Sequence, residues 1–85
     1  MAVSQQRITA IETRLAELEA RPVDPREARL PVTVAHRCRR ARKMLRSLAN
    51  ALKRGDLERA SRLAADAERE IELADEIVEG MLKVE

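Results

Sequence analysis

Eight apolar residues, Leu57, Ala60, Ala64, Ala67, Ile71, Ala74, Val78 and Met81, follow one another at spacings of 3, 4, 3, 4, 3, 4 and 3. That is a heptad seam, the spacing that keeps one face of a helix against another helix. The stretch before it carries a matching seam: Val34, Cys38, Ala41, Leu45, Leu48 and Leu52 are spaced 4, 3, 4, 3 and 4. A shorter stripe of Ile8, Ile11, Leu15 and Leu18 runs near the start. The pattern predicts an all-α fold with helices over about residues 5–20, 31–54 and 57–84, forming one small domain over residues 1–85.

Punctuating residues sharpen these bounds. Ser4 is a candidate N-cap for the first helix. Pro22, Pro25 and Pro31 mark residues 21–31 as a connector, with room for one helical turn at Pro25–Leu30. Gly55 suits the left-handed stop of the second helix, and Asp56 the N-cap of the third. So short a turn makes these two helices an antiparallel hairpin, residues 31–84. Counting outward from the turn sets Leu52 near Leu57 and Ala60, Leu48 opposite Ala64, and Leu45 opposite Ala67. Further out it sets Ala41 opposite Ile71, Cys38 opposite Ala74 and Val34 opposite Val78.

Some apolar positions fall off the seam. Met44 on the second helix, and Leu63, Leu73, Ile77 and Leu82 on the third, form a second strip that another helix should cover. Two arrangements fit the stripe on the first helix. It docks on the hairpin of its own chain, or it forms a parallel coiled coil with a second copy. In the coiled coil, Arg7 would face Glu12 and Arg14 would face Glu19 across the two chains.

Composition narrows the function. The 85 residues include no Phe, Trp or Tyr. Aromatic side chains normally bury about 150–250 Å² each, so the alanine-rich core is lean for its size. Small cores of this kind are commonly supported by disulfides, metal or association. One cysteine cannot close an internal disulfide, and no ligand cluster suggests a metal or another cofactor. Association with a partner protein or a second copy, a dimer above all, is the expected support. No apolar run is long enough to span a membrane. The opening MAVSQQRITA lacks the basic and apolar regions of a secretory signal, so a cytoplasmic location is expected.

The net charge of +2 conceals a division along the chain. Residues 34–62 hold ten basic and two acidic side chains, whereas residues 63–85 hold two basic and eight acidic ones. The dense run HRCRRARK, residues 36–43, continues to Arg46. Its simplest role is neutralisation by Asp66, Glu68, Glu70, Glu72, Asp75 and Glu76 across the hairpin. The alternative is phosphate binding, in which Arg39, Lys43 and Arg46, lying away from the seam, would be the contacts. His36 has no second histidine to act with and reads as a surface residue; Cys38 reads as a small buried hydrophobe.

Resemblances are local. Gly55-Asp56-Leu57-Glu58-Arg59-Ala60 is similar to the turn of one tetratricopeptide unit, which implies a helix pair without the repetition of a solenoid. Ile8 and Ile11 through Arg21 resemble the opening of the small all-helical chorismate mutases. The arginines and lysine with which that family grips two carboxylates have no matching positions, so its activity is not implied. In layout the chain resembles the helical-hairpin co-chaperones of type III secretion needle subunits, which implies a helical protein partner. The expected function is therefore non-catalytic, with no small-molecule substrate: an adaptor, co-chaperone or inhibitor acting by helix packing. Its candidate contacts are Ile8, Ile11, Leu15, Leu18, Met44, Leu63, Ile77 and Leu82. A nucleic-acid-binding regulator is the alternative.

Overall fold

Caps and a single glycine decide where the helices start and turn. The computed structural model describes residues 3–20 and 32–83, the side chains of Leu82 and Lys83 excepted. The expected connector, its helical turn at Pro25–Leu30 and a helix start at Pro31 lie outside the described residues. The first helix, α1, spans Gln5–Ala20. The Ser4 hydroxyl oxygen accepts the Arg7 backbone N–H at 3.1 Å, which satisfies one of the free donors of the first turn. Val3, just before the cap, is buried, where it staples the first turn to the core.

The second helix, α2, spans Val32–Lys53, and the third, α3, spans Leu57–Lys83. Between them the Gly55 N–H donates to the Leu52 carbonyl at 3.1 Å and the Asp56 N–H to the Ala51 carbonyl at 2.9 Å. This nested pair is a Schellman motif, and it requires the left-handed backbone that Gly55 adopts at φ 75°. Asp56 then caps α3, its Oδ1 accepting the Arg59 N–H at 3.1 Å. One residue therefore closes one helix and the next opens its partner.

The expected all-α architecture holds: α2 and α3 pack along their length as a hairpin, with the shorter α1 laid against both. Of the seam pairs expected from the turn, Leu48 and Ala64, Ala41 and Ile71, Cys38 and Ala74, and Val34 and Val78 are buried on both sides. Six of the buried residues are alanines: Ala41, Ala51, Ala60, Ala64, Ala67 and Ala74. Small side chains let the two backbones approach closely, so the molecule is slender, 47 × 18 × 18 Å.

Four seam residues depart from the expectation. Leu57 and Met81 are 46% and 45% exposed. Both lie in the end turns of α3, and the expected approach of Leu57 to Leu52 leaves Leu57 largely in solvent. Leu45 and Leu52 are half-buried, because they face a cleft that α1 leaves open. Among the described residues no helix is long and apolar enough to cross a membrane.

Candidate interaction surfaces

The stripe of α1 is turned onto the molecule's own hairpin. Ile11, Leu15 and Leu18 are buried in the common core, and Ile8 is half-buried against it. Of the two sequence-level arrangements, the structure shows docking within the chain. Ile11, Leu15 and Leu18, offered by the sequence to a partner or a second copy, thus face inward. The flanking charges find partners within the chain as well. Arg7 pairs with Glu68 of α3, Nη2 to Oε1 at 2.6 Å and Nε to Oε2 at 3.3 Å. Glu19 accepts a two-pronged bond from Arg42 of α2. Periodicity shows which residues flank a stripe but not which helix fills it. The hydrogen bonds that Arg7 donates to Glu68 and Arg42 to Glu19 raise the pKa of both guanidinium groups above the ordinary value.

These pairings set how α1 lies. Its end is tied at Glu19 to Arg42, while Gln5 and Ile8 sit beside Leu48 and Leu52, so α1 runs antiparallel to α2. It does not close fully on that helix. A cleft of about 510 Å³ opens between them, within the usual size of ligand-receiving clefts. Ile8, Leu45, Leu48 and Leu52 supply its apolar lining; Gln5 and Glu12 stand on the α1 side, Arg42 and Arg46 on the α2 side. Sequence reasoning singled out Ile8 and, as a phosphate contact, Arg46 from this group; it missed the three leucines, which the heptad pattern had allotted to the hairpin seam.

The face of the hairpin away from α1 carries the second strip. Leu63, Glu70 and Ile77 recur every seven residues on α3, and Met44 lies beyond Arg37 and Arg40 on the facing side of α2. Met44, Leu63 and Ile77 are half-buried against the core. The side chain of Leu82 lies outside the described residues. Glu70, 8% exposed, is the buried carboxylate of this face. It accepts from Arg37 Nη1 at 3.0 Å and pairs with Arg40 Nε at 3.6 Å. Both cations compensate the desolvation of the carboxylate, which a lone buried charge would not survive.

Neutralisation of the basic helix is thus partial and more focused than the sequence suggests. Arg37 and Arg40 converge on Glu70, and Arg42 is taken by α1 rather than by α3. Arg39, Lys43 and Arg46 are exposed and make no ion pair with the described residues. His36 is exposed, and Cys38 is buried with its thiol pKa raised, by loss of water first and by the nearby Glu19 charge second, against an opposing effect of Arg42. Cys38 is therefore held neutral, the opposite of what a reactive thiolate needs. Among the described residues no three His, Cys, Asp or Glu side chains are grouped so as to hold a metal ion.

No protein-family model matches this chain, and no curated protein or solved structure is detectably similar to it.

Proposed function

We propose that this protein is a non-catalytic interaction module that receives an amphipathic helix of a partner protein between α1 and α2. The cleft supports the reading: an apolar floor of Ile8, Leu45, Leu48 and Leu52 between charged rims. A helix laid there would complete a four-helix arrangement, burying its own apolar stripe against the half-buried Ile8, Leu45 and Leu52. The rim selects the occupant. Arg42 is already bound to Glu19, but Arg46 makes no ion pair with the described residues and overhangs the cleft, so the incoming helix should carry carboxylates along that edge. Its burial would be driven by apolar area, with charge setting orientation and encounter rate.

Self-association uses a different surface in this reading. A second copy would pack on the strip of Met44, Leu63 and Ile77, on the face that α1 leaves uncovered.

The chain has neither Trp nor Tyr, so it barely absorbs in the near ultraviolet. Purified gently from its own cells, the wild-type protein should bring with it the absorbance of its partner. Leu45→Asp, which places a carboxylate on the cleft floor, should elute without that absorbance while keeping its helical circular dichroism. Equal co-elution with the variant, or a silent wild-type peak, would refute the cleft as the binding site.

A further inference from the structure

We infer that the outward face of α2 is a docking surface for the phosphate backbone of a nucleic-acid duplex, sharing only Arg46 with the rim of the cleft and independent of base sequence. The helix carries seven Lys and Arg residues and no Asp or Glu between Val32 and Lys53. Three of the seven, Arg37, Arg40 and Arg42, are consumed by Glu70 and Glu19. The four that remain, Arg39, Lys43, Arg46 and Lys53, follow at spacings of 4, 3 and 7, which is one line on a helix. All four are exposed, and none makes an ion pair with the described residues. His36 and Asn50 continue the same line, so no apolar or acidic side chain interrupts it.

A solvated helix face ordinarily mixes signs, because opposite charges three or four residues apart stabilise it and like charges destabilise it by about 0.2–0.5 kcal/mol a pair. Here Arg39 and Lys43, and Lys43 and Arg46, repel one another at those spacings. A polyanion relieves that repulsion. The line from Arg39 to Lys53 is about 21 Å long at ~1.5 Å per residue. A duplex presents a charge every ~1.7 Å of its axis, about twelve over that length, so each cation meets a phosphate without a fixed register. The exposed carboxylates of α3, Glu72 and Glu76 among them, lie on the other helix and keep the duplex to the α2 side.

Other polyanions fit less well. The chain has no aromatic side chain on which unpaired bases could stack, which disfavours single strands. The apolar face that a membrane-surface helix would insert is, in α2, buried against α3 at Val34, Ala41 and Leu48.

Four neutralised phosphates predict a slope of about −3.6 for log affinity against log salt on B-DNA, roughly a 150-fold loss between 50 and 200 mM. The test is fluorescence anisotropy of the full chain with labelled DNA and RNA duplexes of about two helical turns (~20 base pairs). A single strand of equal length, vesicles containing anionic lipid, and polyglutamate serve as competitors. The inference requires duplex binding with a slope near −3 to −4; the tighter of the two duplexes then names the natural ligand. Arg39→Glu/Lys43→Glu/Arg46→Glu should lower affinity at least 100-fold, and Lys43→Ala alone should reduce the slope by about one. Because these side chains are exposed, helical circular dichroism should not change. No duplex binding at low salt, a slope near zero, equal binding by the triple variant, or stronger competition by vesicles or polyglutamate than by duplex would overturn it. Leu45→Asp should bind duplex like the wild type, so failure of this proposal and failure of the cleft are read separately.

Discussion

Replacing Leu15 by alanine asks whether α1 belongs to this molecule's own core. Leu15 is 1% exposed and lies between Ile11 and Leu18 on the face turned to the hairpin. The change deletes three carbons; at about 0.8 kcal/mol for each buried methylene, transfer alone costs about 2.4 kcal/mol. The space left behind adds about 24 cal/mol per Å³ that the surroundings fail to close. A total of about 3–4 kcal/mol follows, set against a stability of about 4–13 kcal/mol for a chain of 85 residues. At about 4–8 °C for each kcal/mol, the thermal midpoint should drop by roughly 12–30 °C. Urea and thermal unfolding followed by far-ultraviolet circular dichroism suit a protein without tryptophan. Glu17→Ala, on the exposed side of the same helix, should change stability by less than about 0.5 kcal/mol. Packing within the chain also demands that the Leu15→Ala loss be the same over a wide range of protein concentration. A loss below about 1 kcal/mol would remove α1 from the core. A midpoint that climbs with concentration in wild type but not in the variant would show that another chain fills the stripe.

The two glycines should respond oppositely to the same change. Gly55→Ala puts a side chain at φ 75° and should cost about 1–2 kcal/mol; Gly80→Ala adds a Cβ with no atom within 4 Å and should gain about 0.4–1 kcal/mol. Thermal midpoints of the two variants check both signs, and a shared sign would refute the assignment. Cys38 makes stability depend on alkaline pH. Its thiol pKa is raised in the folded state, so its contribution is complete below the ordinary thiol range near 8.5 and is lost as pH rises toward the folded value, where only the unfolded chain ionises freely. Urea midpoints at about pH 7 and about pH 10 should diverge more for wild type than for Cys38→Ala; parallel curves would count against a buried neutral thiol.

Much of the fold is legible in the residues because helix periodicity and caps are local. Ser4, Gly55 and Asp56 mark their boundaries through hydrogen bonds made within five residues. The surfaces are less legible. Leu45 and Leu52 look identical to Leu48 in the heptad pattern, yet they line a cleft, since the tilt of α1 decides which seam residues stay covered. Glu70 looks like any of the carboxylates of α3, yet it is the buried one between two arginines. Leu57 and Met81 continue the seam in the sequence, yet in the end turns of α3 they stay exposed. In each case the deciding fact is where a neighbouring helix ends or leans, which the residue's own spacing does not encode.

The two arginine–carboxylate pairs that hold α1 differ in polarity, and that difference has a consequence for how the helix finds its seat. Eleven residues, 21–31, separate α1 from α2. Fully extended they reach about 36 Å, more than the ~24 Å length of α1, so tether length permits the helix to settle either way round. The stripe of Ile8, Ile11, Leu15 and Leu18 keeps its 3, 4, 3 spacing under reversal and discriminates weakly. The charges are not symmetric. Turned end for end, α1 would bring Arg7 toward Arg42 and Glu19 toward Glu68, exchanging two attractions for two repulsions. Each exposed pair contributes only about 0–1 kcal/mol to holding the helix down. Between the two orientations, however, each pair acts twice, once through the attraction given up and once through the repulsion created. The pairs therefore work less as fasteners than as a key, giving direction to a helix whose tether and apolar face supply little of it.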